Sequence, residues 1–305
     1  MDMDLTVKIG KLQLKNPVIV ASGTFGYGEE FHESFFDISS LGAVVTKGIS
    51  LAPRLGNEMP RVIETASGML NAIGLANVGL DAFISDKLPF LARAKAVVIA
   101  NILGSTIEEY GEIAKRLEGA EGVAAIEQNI SCPNVSCGGL QFGIDPESAA
   151  AAVRAVRKSF TRTLIVKLSP QAASIPAMAR AVEEAGADAI SLINTIPAMA
   201  IDVASRKPIL ANITGGLSGP AIKPIALRMV YEAYRAVKIP IIGMGGIMNA
   251  VDAVEFMLAG ASAVQIGTAN FVHPMTAVEI IDGIESYCRE QKIPRVSELT
   301  GALKR

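Results

Sequence analysis

Eight times along the chain, a short apolar run is followed by a stretch of different rhythm. The runs are Pro17–Ser22, Ala43–Lys47, Ala96–Asn101, Gly122–Ile130, Leu164–Leu168, Ala187–Asn194, Pro240–Met244 and Ala263–Gly267. Strands apolar on both faces belong between a barrel interior and an outer layer of helices. Their alternation with amphipathic helical stretches implies βα units and a parallel sheet. The expected fold is α/β, a (β/α)8 TIM barrel. Before the first unit, Leu5, Val7, Ile9, Leu12 and Leu14 alternate with polar residues about Gly10, which predicts a small antiparallel hairpin.

Helix signals support the pattern. Asp145-Pro146-Glu147 opens one helix, with Asp as cap and Pro in the first turn. Ile175 to Ala185 forms a second, stopped by Gly186, and Asn249 to Leu258 a third, stopped by Gly260. Two stretches break the rhythm. Gly48 to Leu80 is too long for one βα loop and predicts an inserted hairpin around Arg61–Asn71. Ala198 to Pro224 is a second excursion, rich in Gly and Pro. Long ordered loops are usually functional. No low-complexity linker divides residues 1–305, so one domain is expected.

Composition narrows the partners. Lys and Arg total 28 against 30 for Asp and Glu. That balance argues against nucleic acid or an anionic membrane as the main partner. There is no Trp, so base-stacking platforms are not expected either. Three cysteines make no disulfide framework and fall one short of an ordinary iron–sulfur cluster, so any such cluster would sit on another protein. A reducing cytoplasm is the simpler setting. His32 and His273, the only histidines, are too few and too scattered for a metal site. No signal peptide or transmembrane segment is expected.

Barrel chemistry sits at the C-terminal ends of the strands. Those ends carry Ser22-Gly23, Thr46-Lys47-Gly48, Asn101, Asn129, Lys167, Asn194-Thr195, Gly245-Gly246 and Gly267-Thr268. An ammonium embedded in an apolar strand is costly unless it meets an anion, which marks Lys47 and Lys167. Glycines after strands seven and eight fit a phosphate held by bare backbone N–H groups, with Gly219 at a helix start adding to them. Lys167 has two chemical readings: a Schiff-base amine, or a cation facing the negative charge of a reduced flavin ring. Asn71, Asn101, Asn129 and Asn194 favour a flat heterocycle with amide-like edges.

Asn129-Ile130-Ser131-Cys132-Pro133-Asn134-Val135 is the most informative segment. Cys132 lies just past a strand end, on a loop running through Gly138-Gly139 to Gly143, which suggests a flap. A thiol with a reference pKa of about 8.5 needs only a modest shift to act as a base near neutrality. Cys288, on the final helix, reads as a buried apolar residue. Cys137 could be a spectator or could pair with Cys132 under oxidation.

Together, NISCPNV at Asn129–Val135, NAIGLAN at Asn71–Asn77, Thr46-Lys47-Gly48, MGGI at Met244–Ile247 and QIGTA at Gln265–Ala269 resemble the dihydroorotate dehydrogenases over nearly the whole chain. The resemblance implies FMN-dependent oxidation of dihydroorotate to orotate in pyrimidine biosynthesis. Cysteine at 132 resembles the cytosolic class. The membrane-bound class has serine there and an N-terminal extension that this chain lacks. NAIGLAN is closer to the NAD-linked class 1B than to the fumarate-linked class 1A, which tends to have Met where Ile73 stands. Class 1B implies a partner subunit carrying FAD and a [2Fe-2S] cluster, and a dimer of catalytic subunits within a heterotetramer.

Carried over by position, the resemblance makes Cys132 the base at C5 and Lys167 the stabiliser of reduced flavin. Ser22, Gly23, Thr46, Lys47, Asn101, Asn129, Lys167, Ile193, Gly219, Gly245, Gly246, Gly267 and Thr268 resemble FMN-binding positions. Lys47, Asn71, Ala72, Ile73, Gly74, Leu75, Asn129, Asn134, Asn194 and Thr195 resemble substrate-binding ones. Ala76 and Cys137 are small departures from the family pattern. Three other readings remain: a flavin barrel acting on uracil or thymine, a Schiff-base lyase using Lys167, and a non-catalytic ligand-binding barrel.

Overall fold

Valine and isoleucine dominate the apolar runs, and their branched Cβ atoms favour extended backbone. In a computed structural model, which describes residues 3–131 and 142–304, these runs form eight strands. They are β1 (Val18–Val20), β2 (Ala43–Val45), β3 (Val98–Ile102), β4 (Val123–Asn129), β5 (Thr163–Lys167), β6 (Ala189–Leu192), β7 (Ile241–Met244) and β8 (Ala261–Ile266). Each pairs in parallel with its neighbours, and β8 closes on β1. The fold is the (β/α)8 TIM barrel expected from the sequence, with strand ends shifted by a residue or two. Cys132, Asn134 and Cys137 lie outside the described residues.

The outer layer consists of α1 (Glu29–Ser34), α2 (a continuous helical stretch, 79–93), α3 (Ile107–Glu118), α4 (Pro146–Ser159), α5 (Ile175–Glu184), α6 (Lys223–Tyr234), α7 (Ala250–Leu258) and α8 (Thr276–Glu290). Their starts follow the capping signals. Asp145 accepts the Ser148 N–H at 2.8 Å, Ser174 that of Ala177 at 3.3 Å, and Asn249 that of Asp252 at 3.0 Å. Such a cap stabilises a helix by about 1 kcal/mol. Helix α3 buries Tyr110, Ile113, Ala114 and Leu117, one stripe at helical spacing. Burying Ile113 or Leu117 contributes about 1.5–3 kcal/mol. Cys288, on α8, is fully buried, and burial pushes its thiol pKa up, with Glu298 adding to the effect.

The two ends of the barrel differ. The hairpin Val7–Ile9/Leu12–Leu14 lies against the N-terminal strand ends. Its turn is Gly10, where a Cβ would sit 2.7 Å from Asp188 Cβ, and Lys11 N–H donates to Thr163 Oγ1 at 3.1 Å. At the other end the two long excursions meet. Val62–Thr65 and Gly68–Asn71 form the expected inserted hairpin after β2. Thr214–Ser218, from the loop after β6, pairs with Gly68–Asn71, and Ile196–Met199 pairs with it in turn. The result is a four-stranded antiparallel sheet at the C-terminal end of the barrel.

Candidate active site

A cavity of about 1250 Å3 opens between the C-terminal strand ends and this sheet. Strand register builds its floor. Asn101 pairs with Glu127 across β3 and β4, and Lys167 with Ser191 across β5 and β6. Glu127 is fully buried. Its Oε1 accepts from Asn101 Nδ2 at 2.7 Å, and its Oε2 from Ser191 Oγ at 2.8 Å and Gln265 Nε2 at 2.6 Å. Lys167 Nζ lies 3.8 Å from Oε1. A buried carboxylate needs this much compensation, since an unpaired one costs several kcal/mol. Asn101 Oδ1 and Gln265 Oε1 have no partner among the described residues, and both side chains line the cavity.

Above the floor, Asn129 is fixed through its backbone and side chain. Its carbonyl accepts the Tyr110 hydroxyl at 2.6 Å, and its Oδ1 accepts the Ser131 N–H at 3.0 Å. Lys47 stands on the β2 side of the cavity. Burial first, and the Arg61 guanidinium second, hold its amine below the usual lysine range. Among the described residues, neither Lys47 nor Arg61 pairs with a carboxylate; Arg61 instead donates to the Leu55 and Asn57 carbonyls at 3.4 Å.

The segment 71–77 closes one wall. Asn57 donates to the Ala72 carbonyl at 2.9 Å, and Asn77 Nδ2 donates to the Leu75 carbonyl and Ser50 Oγ, both at 2.8 Å. Gly74 takes φ +73, a left-handed turn that places the backbone against Asn57. Asn71 reaches across the sheet to the Gly216 carbonyl at 3.3 Å. Asn194 Oδ1 accepts the Thr195 N–H at 2.8 Å.

On the opposite wall, Gly219, Gly245 and Gly246 have φ of +92, +123 and +78. A Cβ on Gly246 would lie 2.8 Å from the Gly219 carbonyl oxygen. The backbone therefore approaches closely enough to form a cradle that no side chain fills. Thr268 Oγ1 donates to Ser218 Oγ at 2.8 Å, joining the β8 end to the inserted sheet. Beneath the cradle, Lys223 Nζ meets Asp252 at 2.6 Å and Glu255 at 2.9 Å. These hydrogen bonds, Asp252 first, hold its ammonium above the usual lysine range. Asp252 also accepts the Met248 N–H at 2.9 Å, clamping the turn after β7.

The cavity thus gathers Ser22, Gly23, Lys47, Asn71, Ala72, Ile73, Gly74, Leu75, Asn101, Asn129, Lys167, Ile193, Asn194, Thr195, Gly219, Gly245, Gly246, Gly267 and Thr268. Thr46 is not among the lining residues. It is fully buried behind them, and its hydroxyl accepts the Asn101 N–H at 3.3 Å. Reading the strand ends overlooked Glu127, Ser191 and Arg61. The signal for Glu127 was a charged residue inside the otherwise apolar run Gly122–Ile130.

Residues 4–288 match the family model described as dihydroorotate dehydrogenase. Curated relatives named "Dihydroorotate dehydrogenase B (NAD(+)), catalytic subunit" come from several bacteria. That of Trichlorobacter lovleyi is 59% identical over 300 residues, 98% of each chain. That of Geotalea uraniireducens is 57% identical over 300 residues, again 98% of each. That of Pelobacter propionicus is 58% identical over 304 residues, 100% of each. Among solved structures, DHODH from Eimeria tenella in complex with ferulenol superposes with a TM-score of 0.80 at 23% identity, covering 98% of this chain and 88% of that one; it supports the fold alone. By family model and by identity over its whole length, the chain belongs to the dihydroorotate dehydrogenase family.

Proposed function

We propose that the chain oxidises dihydroorotate to orotate in pyrimidine biosynthesis, as the catalytic subunit of an NAD-linked, class 1B enzyme with FMN as its cofactor. The observation that carries the reading is one cavity that holds an anion cradle, a polar floor on which Lys167 faces Glu127, and two acceptors and a lysine, Lys47, without a polar or carboxylate partner among the described residues. Each fits one part of the chemistry. The Gly219, Gly245, Gly246, Gly267 and Thr268 backbone suits a phosphate. Asn101 Oδ1 and Gln265 Oε1 suit the N–H of a flat ring, and Lys167 suits its negative charge. Ser22, Gly23, Lys47, Asn129 and Ile193 complete that set, with Thr46 supporting Asn101 from behind.

FMN, when bound, supplies the hydride acceptor. The chain's own residues do the rest. Lys47 holds the substrate carboxylate, and Asn71, Asn129, Asn194 and Thr195 meet the amide edges of its ring. Asn134 belongs to this set from the family pattern. The 72–75 backbone closes over the ring and excludes water. Cys132 takes the proton from C5, a role that rests on the family motif. Residues 1–305 work as one barrel domain.

A docked subunit carrying FAD and a [2Fe-2S] cluster would pass the electrons on to NAD, within a cytoplasmic heterotetramer built on two catalytic subunits. Support comes from the words "catalytic subunit" and "NAD(+)" in the relatives' names and from a cysteine count too low for a cluster. Among the described residues, no helix is long and apolar enough to cross a membrane. The test is the absorbance spectrum of the purified chain before and after anaerobic addition of dihydroorotate. A flavin spectrum that bleaches is expected. A flavin spectrum that dihydroorotate leaves unchanged would move the substrate to a pyrimidine without a carboxylate.

A further inference from the structure

The fully buried Glu127 is a titratable group that the chemistry above does not use. A carboxylate only accepts hydrogen bonds. The amide atoms at 2.7 and 2.6 Å from it must therefore be the NH2 groups of Asn101 and Gln265. An amide whose nitrogen is committed to Glu127 has one polar atom left, its carbonyl oxygen. Both oxygens are buried and have no partner among the described residues, and both side chains line the cavity. The same carboxylate lies 3.8 Å from Lys167 Nζ and offsets its charge in a region closed to water.

We propose that Glu127 is the positioning residue of the cavity floor: it takes up the NH2 groups of Asn101 and Gln265, which leaves their carbonyl oxygens as the free acceptors, and it balances the Lys167 ammonium. One buried carboxylate thereby makes the floor an acceptor surface, suited to a ring edge that presents N–H. It also makes the floor close to neutral, so the ring above meets less positive charge than Lys167 alone would give. The electrostatic consequence for a bound flavin rests on the function proposed above. The orientation of the two amides and the state of Lys167 do not.

The isosteric Glu127→Gln variant tests this with two measurements. The first is the flavin midpoint potential of protein loaded with FMN. Losing the balancing charge should favour the reduced, more negative ring by about tenfold or more, a rise of about 30 mV for a two-electron couple. The second needs no flavin: the rate of reductive methylation of Lys167 by formaldehyde and a borohydride, followed by mass spectrometry on flavin-free protein. Released from its carboxylate neighbour, the amine is free to react, and labelling should quicken several-fold. A carboxylate that only holds the barrel together would lower stability and move neither quantity. A folded Glu127→Gln protein with unchanged potential and unchanged labelling overturns the proposal. If wild-type protein takes up no FMN, the flavin reading fails, and the labelling rate alone decides the role of Glu127. If Glu127→Gln does not fold, Glu127→Asp, which draws the carboxylate back by one methylene, should show the same changes at smaller size, and their absence there overturns it equally.

Discussion

The Arg61 guanidinium stands close enough to the Lys47 ammonium to oppose its charge, and no carboxylate among the described residues pairs with either. Burial and this neighbour hold the Lys47 amine below its ordinary value of 10.5. Between the lowered value and the ordinary one, the folded chain binds fewer protons at Lys47 than the unfolded chain. The Lys47 contribution to stability therefore improves as pH rises through that window. Anion binding runs the other way, because it needs the ammonium. Orotate affinity should fall as pH rises through the lowered Lys47 value, before an ordinary lysine would titrate. Isothermal titration across the alkaline range checks this. In Lys47→Met that alkaline limb should vanish, and affinity at neutral pH should drop about 10- to 150-fold, the loss of a charged hydrogen bond of about 1.5–3 kcal/mol. Unaltered orotate affinity in Lys47→Met would place the carboxylate elsewhere.

Gly246→Ala should release FMN. The residue has φ +78, and the new Cβ would sit 2.8 Å from the Gly219 carbonyl and 2.9 Å from the Lys223 nitrogen. The left-handed backbone alone costs about 1–2 kcal/mol with a side chain. Relieving the contacts must also open the cradle. Equilibrium dialysis of FMN should show affinity at least about tenfold weaker. Retention as tight as in wild type would show that this turn does not hold the phosphate.

Asp252→Ala should weaken the same wall from below. It removes one partner of Lys223 and the acceptor of the Met248 N–H. Each buried group left unpaired costs about 1–3 kcal/mol. Glu255 remains to hold Lys223, so the expected loss is near 2 kcal/mol. Urea denaturation reads it as a lower midpoint with an unchanged slope.

Cys132→Ser should slow flavin reduction by dihydroorotate by about 10²–10⁴-fold at neutral pH, the usual loss when a general base is removed. FMN content should be unchanged. Anaerobic stopped-flow absorbance makes the measurement, and wild-type kinetics in the variant would remove Cys132 from the mechanism.

Much of this architecture was legible in the chain because burial on both faces leaves a plain mark: a run such as Val18-Ile19-Val20 has few other uses. The hairpin at 62–71 was legible because a βα connection that long must contain something ordered. The cap at Asp145 was legible because a cap is a local hydrogen bond between near neighbours. Glu127 was hidden for the opposite reason. Its partners come from β3, β5, β6 and β8, and only the register of a closed barrel brings Asn101, Lys167, Ser191 and Gln265 to one carboxylate. Arg61 escaped notice because its effect on Lys47 depends on how the inserted hairpin folds back. Thr46 shows the limit of reading strand ends, since its hydroxyl is spent on the Asn101 N–H one layer behind the cavity.

Asn71 and Gly216 meet across the inserted sheet although 145 residues separate them. Closing so long a loop carries an entropy cost that a few sheet hydrogen bonds do not repay until the intervening strands have brought the two ends together. The sheet thus needs the segment after β6 in place, and it carries Asn71 and the wall around it. A chain still emerging from the ribosome, short of the segment after β6, has every residue from 71 to 77 and no pocket for them to line. Because the same cavity is also lined from the ends of β7 and β8, through Gly245, Gly246, Gly267 and Thr268, a binding signal from it reports a finished fold.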